Sequence, residues 1–193
     1  MRSLVLLLCI LSVAAPAQTR RRPAPKPATP PAAAAAFPLV RLAVAGNHLY
    51  SEQAIVAASG MKLGAPAKKE DFEKGRDRLI ATGAFQTVGF EFGPDASGKG
   101  IQGKFEVAEI EQRYRIRFEE LPGTEAELRA YLKEREPLFG ADIPGTTEIL
   151  SRFARELTEW ASARGLKEKV VGRVVNERAG ELTVLFRPAT LPP

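Results

Sequence analysis

Enzymes and metal sites need side chains that move protons, attack carbonyls or hold cations, and this sequence spaces few of them together. His48 is the only histidine and follows Gly46-Asn47, a turn signal, where a solvent-facing loop residue is expected rather than a general base. Cys9 is the only cysteine and lies in an apolar N-terminal run. No Ser/His/Asp spacing, HExxH, P-loop or GxSxG occurs. The Glu70-Asp71 doublet stands at the start of a lysine-bearing helix, where negative charge suits the helix dipole and needs no further role. A metal would require carboxylates to converge without histidine or cysteine, and no spacing does that. No catalytic, cofactor or metal residue is therefore assigned.

Charge does not point to nucleic acid either. The chain of 193 residues carries a net charge of +5, but Arg2, Arg20, Arg21, Arg22 and Lys26 supply five of its 28 basic residues ahead of Phe37. The remaining 23 balance the 23 acidic residues, all of which follow Phe37, so the globular part is neutral and lacks the cationic excess that phosphate binding requires. Arg20, Arg21 and Arg22 offer at most a peripheral contact with an anionic membrane surface.

The N-terminus reads as an export signal: Met1-Arg2-Ser3, an apolar run from Leu4 to Ala15, and the small-x-small pattern Ala15-Pro16-Ala17, which predicts a mature start at Gln18. This run of twelve residues falls short of the roughly 18 to 20 needed to span a bilayer, which disfavours an uncleaved anchor. Residues 18–36, rich in Pro, Ala and Arg, read as a disordered spacer.

From Phe37 the periodicity predicts elements. Val40, Leu42 and Val44 alternate as a strand that ends at Gly46-Asn47. Ser51 caps a helix carrying Ala54, Ile55 and Ala58 and closed by Gly60. A second helix carries Phe72, Leu79 and Ile80 and stops at Gly83. Val88, Phe90 and Phe92 then alternate, as do Ile101, Gly103, Phe105 and Val107. The same order returns: Tyr114, Ile116 and Phe118 in a strand; Thr124 with Glu127 as a capping box; a helix with Leu150, Phe153, Leu157 and Trp160; Gly165; then Val170, Gly172 and Val174, and Leu182, Val184 and Phe186, in two strands. The reading is α+β, with two tandem βααββ units at 37–111 and 112–193.

The stretch "VRLAVAGNHLYSEQAIVAASGMKLGAPAKKEDFEKGRDRLIATGAFQTVGFEF" resembles a POTRA domain, the polypeptide-transport-associated module of outer-membrane protein assembly factors. The matching features are Gly46-Asn47, Gly64-x-Pro66 and, above all, a helix followed by Gly83-Ala84-Phe85-x-x-Val88. The second unit departs from the pattern, with Leu121-Pro122-Gly123 in place of Gly-Asn and Gly165-Leu166 in place of Gly-Ala-Phe, and matches by element order. The resemblance implies a three-stranded sheet under two helices, an open edge at the second strand, and a periplasmic module that binds client or partner polypeptides and often precedes a β-barrel; this sequence carries no barrel, so a free-standing module is expected.

An open edge presents unpaired amides and carbonyls to which an extended peptide can add while its alternate side chains are read. The candidate residues are Gln86, Thr87, Val88, Gly89, Phe90 and Glu91 in the first unit and Val170, Val171, Gly172, Arg173 and Val174 in the second. Alternatively, Gly89 marks a bulge or a close backbone approach and Glu91 blunts the edge. Trp160 and Tyr131 fit either a core or a partner anchor, and Arg113, Arg115 and Arg117 fit a wet strand face or a dock for an acidic partner. The expectation is an exported, non-enzymatic binding or scaffolding module of outer-membrane protein assembly, with an envelope or division-type structural protein held in the inner membrane as the alternative.

Overall fold

The computed structural model describes residues 37–178 and 180–190. The leader, the spacer and Arg20, Arg21 and Arg22 lie outside the described residues. The first unit runs β1 (Phe37–Ala45), α1 (Glu52–Ser59), β2 (Pro66–Ala67), α2 (Lys69–Ala81), β3 (Phe85–Pro94) and β4 (Ile101–Glu109). The second runs β5 (Arg113–Phe118), α3 (Glu125–Arg135), β6 (Asp142–Pro144), α4 (Thr147–Ser162), β7 (Val170–Arg178) and β8 (Glu181–Pro188).

Each unit places its last strand in the middle of its sheet. The orders are β2-β1-β4-β3 and β6-β5-β8-β7, with β1 parallel to β4 and β5 parallel to β8. The helical connection between β1 and β3 carries the chain across one face, and the hairpin back into β4 leaves β3 outermost; β7 is outermost for the same reason. A fourth, short strand is added to each sheet. The Gly64-Ala65-Pro66 connection runs back along β1, with the Leu39 amide donating to the Ala65 carbonyl at 2.9 Å, and β6 does the same along β5.

Local chemistry sets the element ends. Ser51 Oγ accepts from the Ala54 amide at 3.2 Å, and Gly60 terminates α1 at φ 70°. Thr124 Oγ1 accepts from the Glu127 amide while Glu127 Oε2 accepts from the Thr124 amide, the reciprocal capping box read in the sequence. Asp71 of the acidic doublet accepts from the Lys68 amide at 3.1 Å and so caps α2.

The core lies between each sheet and its helices and is centred on Phe72 and Phe105 in one unit and on Phe153 and Phe186 in the other, all fully buried. Burying one such ring stabilises by about 2 to 3 kcal/mol.

Five residues of the expected apolar faces are exposed, namely Val40, Ile80, Phe92, Val174 and Leu182. Val40 is 50% exposed because a bulge between Leu39 and Arg41 inserts it as an extra residue, so that Leu39 points inward in its place. Ile80 is 47% exposed, one position past Leu79 on α2, and Gly75 faces the sheet instead. A Cβ at Gly75 would come within 2.9 Å of the Phe105 ring, so only glycine lets helix and strand approach this closely. Leu182 is 43% exposed at the far end of β8, although Val184 and Phe186 on the same face are buried.

Candidate functional site

Two features dominate the described surface: the junction between the units and the two outer strands. The junction explains the Gly83 corner. Gly83 takes φ 73°, and a Cβ there would lie 2.6 Å from Thr146 Oγ1 and 2.7 Å from Glu148 Cβ at the start of α4. Phe85 tucks in beneath, edge-on to Tyr50 with ring centroids 5.8 Å apart. Arg113 of the second unit lies over the Tyr50 ring at 4.7 Å, so the first arginine of the alternating series is half-buried at the junction while Arg115 and Arg117 are exposed. Burial pushes the Tyr50 hydroxyl above its ordinary value of 10.0, and Arg113 opposes the shift.

Sequence reasoning missed Glu109. Its carboxylate is buried and accepts three successive backbone amides, those of His48, Leu49 and Tyr50, at 2.9, 2.7 and 3.0 Å. The signal was present: Glu109 continues the inward-facing series Phe105, Val107 and is the one charged member of it. The geometry gives His48 an exposed loop position held through its backbone. Among the described residues no three His, Cys, Asp or Glu side chains converge as metal ligands. Tyr131 and Trp160 pack against each other at 4.8 Å, with Trp160 Nε1 donating to the Pro122 carbonyl at 2.9 Å, so both are half-buried structural partners.

The candidate edge residues all fall on outermost strands. In antiparallel pairing, the backbone groups of every second residue point toward the partner strand and those between point away. The Ala189 amide donates to the Lys169 carbonyl at 2.8 Å, which makes residues 169, 171, 173 and 175 the ones directed at β8. The amides and carbonyls of Val170, Gly172 and Val174 therefore face the free edge. The Val170 amide is already taken by Thr158 Oγ1 at 2.9 Å; Gly172 and Val174 lie beyond it. In β3 the Asp95 amide donates to the Gly100 carbonyl, which by the same alternation directs Thr87, Gly89 and Glu91 at β4 and turns Val88, Phe90 and Phe92 outward.

Gly89 is neither a bulge nor a close approach. It pairs regularly with Glu106, and a Cβ would stand 3.9 Å from its nearest neighbours; the irregularity sits at Gln86, between Phe85 and Thr87. Glu91 reaches sideways to Lys104 at 3.2 Å, so its charge is directed over the sheet rather than across the open edge.

The two edges differ in what lies beside them. Between β7 and α4 runs an open groove of about 460 Å³, with Leu150, Ala154 and Thr158 on the helix wall and Val170 and Gly172 on the strand wall. Beside β3 the corresponding face carries stacked rings: Phe72 lies 5.9 Å from Phe90 and 5.1 Å from Phe92, and Arg76 lies over Phe90.

The βααββ order, repeated with the same outermost strand, decides the fold class. The fold class is α+β, with the element order that the POTRA resemblance implies. No protein-family model matches the sequence, and no curated protein does. Solved structures do: POTRA1-2 of the periplasmic domain of Omp85 from Anabaena is 15% identical over 81% of this chain and 98% of that one, with a TM-score of 0.38. The N-terminal domain of Omp85 from Thermosynechococcus elongatus is 15% identical over 77% of this chain and 61% of that one, TM-score 0.38. POTRA3-5 of Haemophilus influenzae BamA is 18% identical over 79% of this chain and 61% of that one, TM-score 0.32. The chain thus spans about three fifths of the length of the last two. No described helix of it is long and apolar enough to cross a membrane.

Proposed function

We propose that this chain is an exported, non-enzymatic polypeptide-binding and scaffolding module of the periplasm that serves outer-membrane protein assembly by accepting extended client or partner segments as an added strand. The observation that carries the reading is the outward direction of the Gly172 and Val174 backbone groups along β7, beside an apolar groove. β3 offers the same backbone pattern, but stacked rings fill its helix side where β7 has the groove, so β7 is the primary edge and Gln86 to Glu91 the secondary one.

Proline at Val174 removes an outward amide and leaves the β7–β8 ladder intact, because the lost donor is one that β8 does not use. Val174→Pro is expected to weaken binding of an unfolded outer-membrane polypeptide by tenfold or more while thermal unfolding shows a folded protein. Unchanged binding by that folded variant would sink the reading. Export is tested separately: the mature protein is expected to begin at Gln18 and to be recovered from the periplasm. A chain beginning at Met1 in the inner membrane would replace this reading with that of an anchored structural protein.

A further inference from the structure

The internal duplication identifies what the groove beside β7 lacks. Gly83 and Gly165 occupy equivalent corners 82 residues apart. At that offset the buried positions of α2, Phe72, Gly75 and Leu79, fall on the buried positions of α4, Ala154, Leu157 and Ala161. The helix-side residues of β3, Val88, Phe90 and Phe92, fall on Val170, Gly172 and Val174. The central strands agree too, since Phe90 pairs with Phe105 as Gly172 pairs with Phe186.

Phe153 packs on Phe186 at 6.5 Å as Phe72 packs on Phe105 at 6.2 Å, but Phe90 and Phe92 of β3 have no aromatic counterpart in β7. Where Phe72 and Phe90 stack at 5.9 Å, the second unit has Ala154 and Gly172, and these two residues line the groove. The chain cannot refill the strand wall from within: a Cβ on Gly172 would come within 2.5 Å of the Phe186 ring. A residue on a strand added to β7 opposite Gly172 projects its side chain to the helix side of the sheet, into the space between Ala154, Leu150 and Gly172. The groove also carries two cations, Arg155 and Lys169, against one carboxylate, Glu159, so its charge favours an acidic segment over a basic one.

We infer that the groove between α4 and β7 is a specificity pocket for one aromatic side chain, donated opposite Gly172 by an extended polypeptide with acidic flanking residues. The inference rests on strand addition at β7 and adds to it the side chain that is read.

The test uses the full chain and three synthetic nine-residue peptides of alternating Thr and Val: one with a central Phe and Glu at both ends, one with the Phe replaced by Ala, and one with the Glu residues replaced by Lys. Titration by fluorescence anisotropy is expected to give a dissociation constant about tenfold or more weaker for the Ala peptide, as expected for losing a buried ring, and a severalfold loss for the Lys peptide that shrinks with added salt. Ser151→Trp, an exposed position on the groove wall, fills the space from the helix side and is expected to bring the Phe peptide down to the affinity of the Ala peptide. Equal affinity for the Phe and Ala peptides, both abolished by Val174→Pro, would overturn the pocket and leave strand addition standing. Phe-peptide binding that survives Val174→Pro would overturn the pocket as a strand-addition subsite, and failure of every peptide to bind the wild-type chain would overturn both.

Discussion

Thr146 Oγ1 donates a hydrogen bond to the carbonyl oxygen of Gly83 at 2.9 Å, joining the cap of α4 in the second unit to the corner that starts β3 in the first. The glycine is held there twice over, by a left-handed φ of 73° and by the absence of room for a Cβ against Thr146 and Glu148. Gly83→Ala is expected to destabilise the fold by about 2 to 4 kcal/mol, since it combines left-handed strain with a clash. Thr146→Ala, which removes only the hydrogen bond, should cost about 1 kcal/mol. Urea unfolding of both variants measures the difference, and equal losses would refute the steric part.

Glu109 holds three amides of the 48–50 loop with one carboxylate. Glu109→Ala leaves those donors without their acceptor in a partly buried site and is expected to cost about 3 kcal/mol or more. Glu109→Gln keeps one acceptor oxygen and should cost about half as much. Chemical denaturation compares them; a loss below about 1 kcal/mol for the alanine variant would show that water replaces the carboxylate without penalty.

Glu136 makes stability depend on pH in the direction opposite to most carboxylates. It is 7% exposed, and burial raises its pKa above the ordinary 4.5, with Arg152 pulling the other way from 2.8 Å. With the folded pKa above the unfolded one, the unfolded chain releases its proton first, and the contribution of this group to stability falls as pH rises from about 4.5 through the folded value. Glu136→Gln does not titrate, so the variant is expected to lose the downward slope over that window. Urea midpoints at intervals between pH 4 and pH 7 give both profiles, and parallel profiles would exclude the effect.

The alternation of backbone direction along β7 can be tested without any ligand. Arg173 directs its amide at β8 and Val174 directs its amide away. Arg173→Pro should therefore destabilise by about 3 kcal/mol, and Val174→Pro by about 1 kcal/mol or less. Thermal unfolding ranks them, and the reverse order would mean that the register is shifted by one residue.

Most of the first unit was legible because its signals are local: Ser51 and Gly60 bound α1, Gly83 ends α2, and Val88 and Phe90 alternate. The misplacements at Val40 and Ile80 have a common cause, since a bulge or a one-position rotation of a helix changes which residue faces inward without changing the apolar count. Arg113 read as one of three equivalent outward arginines, yet it covers Tyr50 because the other unit lies beside it.

By itself the sequence determined the βααββ order, its repetition, the corner glycines and the strands that carry the candidate edge, because caps, turn residues and side-chain period act over a few neighbouring residues. Tertiary structure alone decided which backbone groups of those strands are unpaired, and that β7 borders a groove while β3 borders stacked rings. Those properties depend on the partner that each strand finds across the sheet and on the helix that packs over it, and such contacts join residues far apart in the chain.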